Sequence, residues 1–216
     1  MKLRFSLLAG LFVCLPILSY TAFAGSIPVA NFSFEMAPAF NVFCGGTCEY
    51  TVGLPVPDWN TTGATGQWIT GGYAGNPPAF DGSVLAYSNG GTLSQDVGTV
   101  TVGPTYTLQV EILHRTDLPM TGIAQLEIGG VVVATATGTD MGPGTWSDWT
   151  ATYTPIAADA GKTLTILLTS SGEQGDWDNV RLTSSGSTAV PEPAGMLLLG
   201  SGLVTVALAV RRRRSR

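Results

Sequence analysis

Between residues 26 and 183 the apolar side chains recur at every second position, and no stretch shows a convincing helical period. Tyr106-Thr107-Leu108-Gln109-Val110-Glu111-Ile112 alternates in this way, and so in part does Thr163-Leu164-Thr165-Ile166-Leu167-Leu168. That alternation is the mark of a strand with one buried face. Leu126-Glu127-Ile128 and Val131-Val132-Val133 flank Gly129-Gly130, a pair that accepts the positive φ angles of a two-residue hairpin turn. Thr145 to Tyr153, with Trp146 and Trp149, reads as a further strand, and Asp178 to Leu182 as the last one. Short runs of Val, Ile, Thr, Tyr and Phe bounded by Gly, Pro and Asn predict an all-β sandwich or barrel. Residues 38 to 82 break the pattern. They are rich in Gly, Pro, Asn and aromatics, and predict long loops joined by short strands.

The two ends have a different pattern. Lys2 and Arg4 precede the apolar run Phe5 to Leu18, and Ala22-Phe23-Ala24 offers small residues where a signal peptidase cuts. Residues 1–24 therefore predict a secretory signal peptide cleaved after Ala24, the other reading being a retained anchor. At the far end, Ala194 to Val210 is a second apolar run, closed by Arg211 to Arg214. It is near the lower limit for a membrane-spanning helix. The Arg block should stay cytoplasmic, which puts residues 25–183 on the other side of the membrane. Thr183 to Ala189 reads as a linker, with 184–189 joining the domain to the tail.

The tail also carries a motif. Val190-Pro191-Glu192-Pro193, the apolar run and the terminal Arg cluster follow one another at the very end of the chain. Together they resemble the PEP-CTERM sorting signal of Gram-negative bacteria, over residues 190–216. The resemblance implies an exosortase-type processing enzyme as a partner, and a place at the cell surface or in an exopolysaccharide matrix. A plain C-terminal anchor is the alternative.

Charge narrows the options. The 216 residues carry a formal net charge of -5, but most basic residues sit at the two ends. Between residues 25 and 190 three basic residues face fourteen acidic ones, a balance of about -11. Such a surface repels a phosphate backbone, so nucleic acid is excluded as a partner. It leaves carboxylates available for a divalent cation.

Within the domain, Asn31-Phe32-Ser33-Phe34-Glu35, Pro57-Asp58-Trp59, Phe80-Asp81-Gly82-Ser83, Leu93-Ser94-Gln95 and Trp177-Asp178-Asn179-Val180-Arg181-Leu182 follow in order. This order resembles the galactose-binding-like jelly rolls, which include many carbohydrate-binding modules. The resemblance implies a structural Ca²⁺ held by Glu35 and Asp178, with Asp176 able to assist. The other reading caps a turn with Asp178 and leaves Glu35 solvated.

Cys44-Gly45-Gly46-Thr47-Cys48 predicts a disulfide in an oxidising compartment. A redox-active or metal-binding pair would need a different spacing or further ligands. Trp59, Trp68 and Tyr73 lie in the loop-rich region, where exposed rings would stack on sugars, or else pack into the core. His114 is the only histidine, and no Gly-x-Ser-x-Gly elbow surrounds a serine. These observations predict a non-catalytic surface or matrix protein with a jelly-roll β-sandwich that associates with polysaccharide. A matrix protein without glycan specificity and a polysaccharide hydrolase are the alternatives.

Overall fold

The structure, a computed structural model, describes residues 25–186. The signal peptide with Ala22 and Ala24, the Val190-Pro191-Glu192-Pro193 motif and the helix expected over 194–210 lie outside these residues. Among the described residues no helix is long and apolar enough to cross a membrane.

The described residues form two antiparallel sheets packed face to face, with strands numbered in chain order. The eight-stranded sheet runs β11 (Thr145–Tyr153), β8 (Thr105–His114), β13 (Gln174–Ser185), β6 (Leu85–Asn89), β5 (Thr65–Ile69), β3 (Cys48–Tyr50) and β2 (Val42–Gly45). The short β1 (Gly25–Ile27) pairs with the end of β13. The five-stranded sheet runs β10 (Val131–Thr135), β9 (Gly122–Ile128), β12 (Thr163–Ser170), β7 (Thr92–Thr99) and β4 (Asn60–Thr62).

Alternation decides which side chains meet between the sheets. Leu108, Val110 and Ile112 of β8 face Leu126 and Ile128 of β9 and Leu164, Ile166 and Leu168 of β12 across one buried core. Each such side chain contributes roughly 1.5–3 kcal/mol by leaving water. The β9–β10 hairpin turns on Gly129 and Gly130, both at positive φ, as their sequence predicts.

Two differences from the sequence pattern stand out. The last strand is longer than Asp178 to Leu182, and Ser184 and Ser185, expected in the linker, belong to it because β1 and β8 supply them with partners. The strand also carries a bulge between Asp178 and Arg181, with Asn179 at φ 48°. Asn tolerates this left-handed conformation better than most residues. The extra residue shifts the alternation by one, so Trp177, Val180 and Leu182 all reach the core while Arg181 points away from it.

The eight-stranded sheet is apolar on its outer face as well. There Trp68, Leu85, Tyr87 and Leu113 form a second cluster with Cys48 and Ala79. The loop between β5 and β6 covers part of it. The Trp146 Nε1–H donates to the Pro78 carbonyl at 3.0 Å, and Phe80 packs edge-on against Trp146.

Truncating the shared core should be far costlier than truncating the hairpin rim. Leu126→Ala is expected to lower unfolding free energy by about 2–5 kcal/mol. Val131→Ala, at an exposed position, should cost less than about 0.5 kcal/mol. Urea titration followed by tryptophan fluorescence measures both.

Candidate functional site

The site is built on β13. Trp177 points into the core, so its neighbours Asp176 and Asp178 point to the outer face, which two segments cover. Both carboxyl groups are fully buried by their surroundings.

Asp176 lies opposite Tyr87 of β6 in the strand register, and Gln174 lies opposite Asn89. The Gln174 side-chain amide donates to Asp176 Oδ1 at 2.8 Å. Oδ2 is buried and has no hydrogen-bond partner among the described residues. Leaving a carboxyl oxygen unpaired in an apolar surround disfavours its charged form strongly. Burial accordingly pushes the Asp176 carboxyl up to about 7, against smaller opposing effects of Gln174 and Arg115. The Tyr87 hydroxyl, buried beside it and donating to the Thr51 carbonyl, is pushed up to about 12. Gly66 makes that reach possible: a Cβ there would sit 2.7 Å from the Tyr87 ring.

Above this layer opens a pocket of about 390 Å³. Its walls are aromatic, from Tyr50, Trp68, Tyr73 and Tyr87, and include the Cys44–Cys48 pair. Gln174 and Arg115 supply polar groups. The Arg115 guanidinium lies 4.6 Å from the centre of the Trp68 ring and is held by Asp117 through two hydrogen bonds of 2.9 and 2.7 Å. That pairing holds the Asp117 carboxyl below the usual range. The pocket thus offers a compensated cation, aromatic faces and, one side chain beneath, a carboxyl group biased toward its protonated form.

The residues expected from the sequence divide among three places. Trp68 and Tyr73 reach the pocket. Trp59 does not. It is buried between the sheets against Phe34, with ring centroids 5.4 Å apart, because the Pro57-Asp58-Trp59 turn folds inward and its indole N–H donates to the Asn31 carbonyl. As a sugar-stacking platform Trp68 is also compromised, since Arg115 covers one face of its almost fully buried ring. Cys44 and Cys48 form a disulfide.

Glu35, in the segment between β1 and β2, and Asp178, on β13, approach the same loop. Glu35 Oε1 accepts the Ser83 and Val84 amides at 2.8 Å each, and Asp178 Oδ2 accepts the Asp81 amide at 2.8 Å. Burial pushes the Asp178 carboxyl up to about 7. Among the described residues no group of three or more His, Cys, Asp or Glu is placed to hold a metal ion. His114 pairs with Asp140 at 2.9 Å, outside the pocket lining.

A family model described as HpiC1 cyclase matches residues 25–183. The chain belongs to the HpiC1 cyclase-like family. A second model, the PEP-CTERM protein-sorting motif, matches residues 189–214 and marks an exported, surface-sorted protein. The expectation of a non-catalytic domain is overturned by the cyclase match.

An apo cyclase from Fischerella sp. is similar in structure, with a TM-score of 0.62 and 22% identity over 77% of this chain and 98% of that one. A cyclase from Fischerella sp. TAU gives 0.61 and 24% over 77% and 100%. The Stig cyclase Fisc from Fischerella sp. TAU, in complex with (3Z)-3-(1-methyl-2-pyrrolidinylidene)-3H-indole, gives 0.61 and 24% over 76% and 99%. At these identities the likeness establishes the fold. No curated protein matches the chain in sequence.

Asp176 and Gln174 were the residues least visible beforehand. Acids at positions 176 and 178 around a core Trp do share one strand face by alternation, and that was the available signal.

A buried acid with a raised folded-state value destabilises the protein as pH climbs. The unfolded carboxyl ionises near 3.9, whereas Asp176 in the fold holds its proton up to about 7. The unfolded chain therefore binds fewer protons across that window, and stability falls with rising pH, by an amount on the order of 4 kcal/mol for this group. Asp176→Asn should match wild type near pH 4 and exceed it at pH 8, as read by urea unfolding in buffer containing a chelator.

Proposed function

We propose that the chain is an exported cyclase-type enzyme that closes a ring in a small, planar aromatic substrate, with Asp176 as the proton donor. The observation that carries this reading is the unpartnered Oδ2 of Asp176 beneath the aromatic pocket. A carboxyl group kept protonated by burial is suited to general-acid catalysis near neutral pH.

The steps balance without a co-reactant. The substrate enters between Tyr73, Trp68 and Tyr50, and Gln174, which is only half-buried, swings aside to expose the acid. Asp176 gives its proton to one carbon of a substrate double bond, leaving a carbocation on the other carbon of that bond and a carboxylate on the enzyme. A π bond of the same molecule attacks that cation, forming the new C–C bond. The adjacent C–H proton then returns to Asp176. The product is an isomer of the substrate. The aromatic faces stabilise the cationic stage electrostatically, as rings do toward cations. The indole bound in the Fisc complex supports a bicyclic aromatic as the substrate class.

Two further features fit export. We propose that an exosortase-type enzyme processes the tail at Val190 to Pro193 after a C-terminal helix has held the chain in the membrane, with polysaccharide or matrix nearby. We also propose that Glu35 and Asp178 hold a structural Ca²⁺. Glu35 Oε2 makes no hydrogen bond among the described residues, so an oxygen remains for the ion, and loop carbonyls would complete a hard-donor shell.

Two measurements test these readings. Incubating the mature protein with planar bicyclic aromatics that bear an unsaturated side chain should give an isomeric product of unchanged mass, with one deuterium gained in D₂O. Asp176→Asn should slow this by at least about 100-fold. A variant as fast as wild type would eliminate Asp176 as the acid. Separately, millimolar Ca²⁺ over EGTA should raise Tm by several degrees in wild type and not in Asp178→Asn. Equal Tm values for wild type would remove the ion.

A further inference from the structure

The hairpin of β2 and β3 forms one wall of the pocket, and little else in the sheet holds it there. Among the described residues β2 is the outermost strand, with β3 as its sole neighbour in the sheet. β3 in turn meets β5 through only two register pairs, Glu49–Ile69 and Tyr50–Trp68. The β2–β3 ladder is itself interrupted by a bulge between Phe43 and Gly45. A ladder this short has marginal stability in water.

The disulfide lies where that weakness matters. Both Cys44 and Cys48 line the pocket. Cys48 is buried, and its Sγ accepts the Trp68 indole N–H at 3.3 Å. On the other side Gly71 is pressed against the backbone of Thr47 and Cys48 so closely that no Cβ would fit. The Thr47 hydroxyl donates to the Gly71 carbonyl at 3.4 Å. The Cys48 sulfur therefore ties the hairpin tip to Trp68, while the backbone and hydroxyl of Thr47 tie it to the start of the segment that carries Tyr73.

We propose that the Cys44–Cys48 disulfide is the positioning element of this wall, so that the pocket takes up its ligand only once the chain has been oxidised outside the cytoplasm. The inference rests on the reading of this pocket as the cyclase site. Reduction by a dithiol transfers two electrons and two protons to the S–S bond, leaves two thiols, and closes the reductant into its own disulfide. The base of the hairpin keeps its short ladders and the bonds of Asn41 with Val52 and of Thr51 with Gln67 and Tyr87, whereas its tip keeps only the long Thr47–Gly71 bond and the Trp68 contact loses its fixed acceptor. Because the bridge spans few residues, its loss affects global stability modestly. The effect falls on the wall.

The test uses the mature chain, oxidised or treated with dithiothreitol, beside the Cys44→Ser/Cys48→Ser variant. Mass spectrometry confirms the thiol state. The probe is (3Z)-3-(1-methyl-2-pyrrolidinylidene)-3H-indole, titrated by calorimetry, with amide hydrogen exchange read over residues 42–51 and 66–71. The expected result is at least tenfold weaker binding in both bridge-free forms, with faster exchange in those two segments and the core unchanged. Equal affinity in oxidised and bridge-free protein overturns the inference and leaves the cyclase reading standing. If the oxidised protein itself takes up no probe, the proposed substrate class fails. Exchange then decides alone: faster exchange around Trp68 on reduction supports the positioning role, and unchanged exchange overturns it.

Discussion

A carboxyl group placed where water cannot reach it organises the half of this molecule that bears the pocket. Asp176 has one oxygen tied to Gln174 and the other facing no donor. Removing a carboxylate from water without a partner costs several kcal/mol. The protein meets that constraint by keeping the group neutral. Everything around it follows the same rule: the Tyr87 hydroxyl is neutral, and the nearby Arg115 charge is matched by Asp117. A covered outer face on the eight-stranded sheet is what makes such a site available. A sheet with one wet face would have let the acid ionise.

The architecture was largely legible because it depends on period two. The β9–β10 hairpin, β8, β11 and β12 follow from alternation and a Gly-Gly turn, and these strands make up most of the core. The last strand was only half visible. Its bulge at Asn179 breaks the alternation, and its final residues are polar Thr and Ser, which become strand only because β1 and β8 flank them. Local sequence has no means of registering partners more than sixty residues away.

The site was less legible for a related reason. Trp59 and Trp68 share a residue type and a loop-rich neighbourhood, yet one fills the core and the other lines the pocket. What separates them is the direction in which each short strand or turn enters the sandwich, which long-range pairing decides. Asp176 was legible only as an assisting calcium ligand, since Asp is ordinary on a surface and its burial becomes visible only when the chain closes over it. The cysteine pair was readable at once, because four residues of separation in an exported chain leave few alternatives. Its place in the pocket wall was not, since that needs β5 alongside.

The pairing of Gly25 with Ser184 has a geometric consequence. Both polypeptide ends of the folded body leave from one extremity of β13, while Gln174 and Asp176 stand at the other. Ten residues of strand separate Gln174 from Ser184, which at ~3.3 Å per residue is roughly 33 Å. The pocket that Gln174 lines therefore lies toward the end of the folded body away from its two termini.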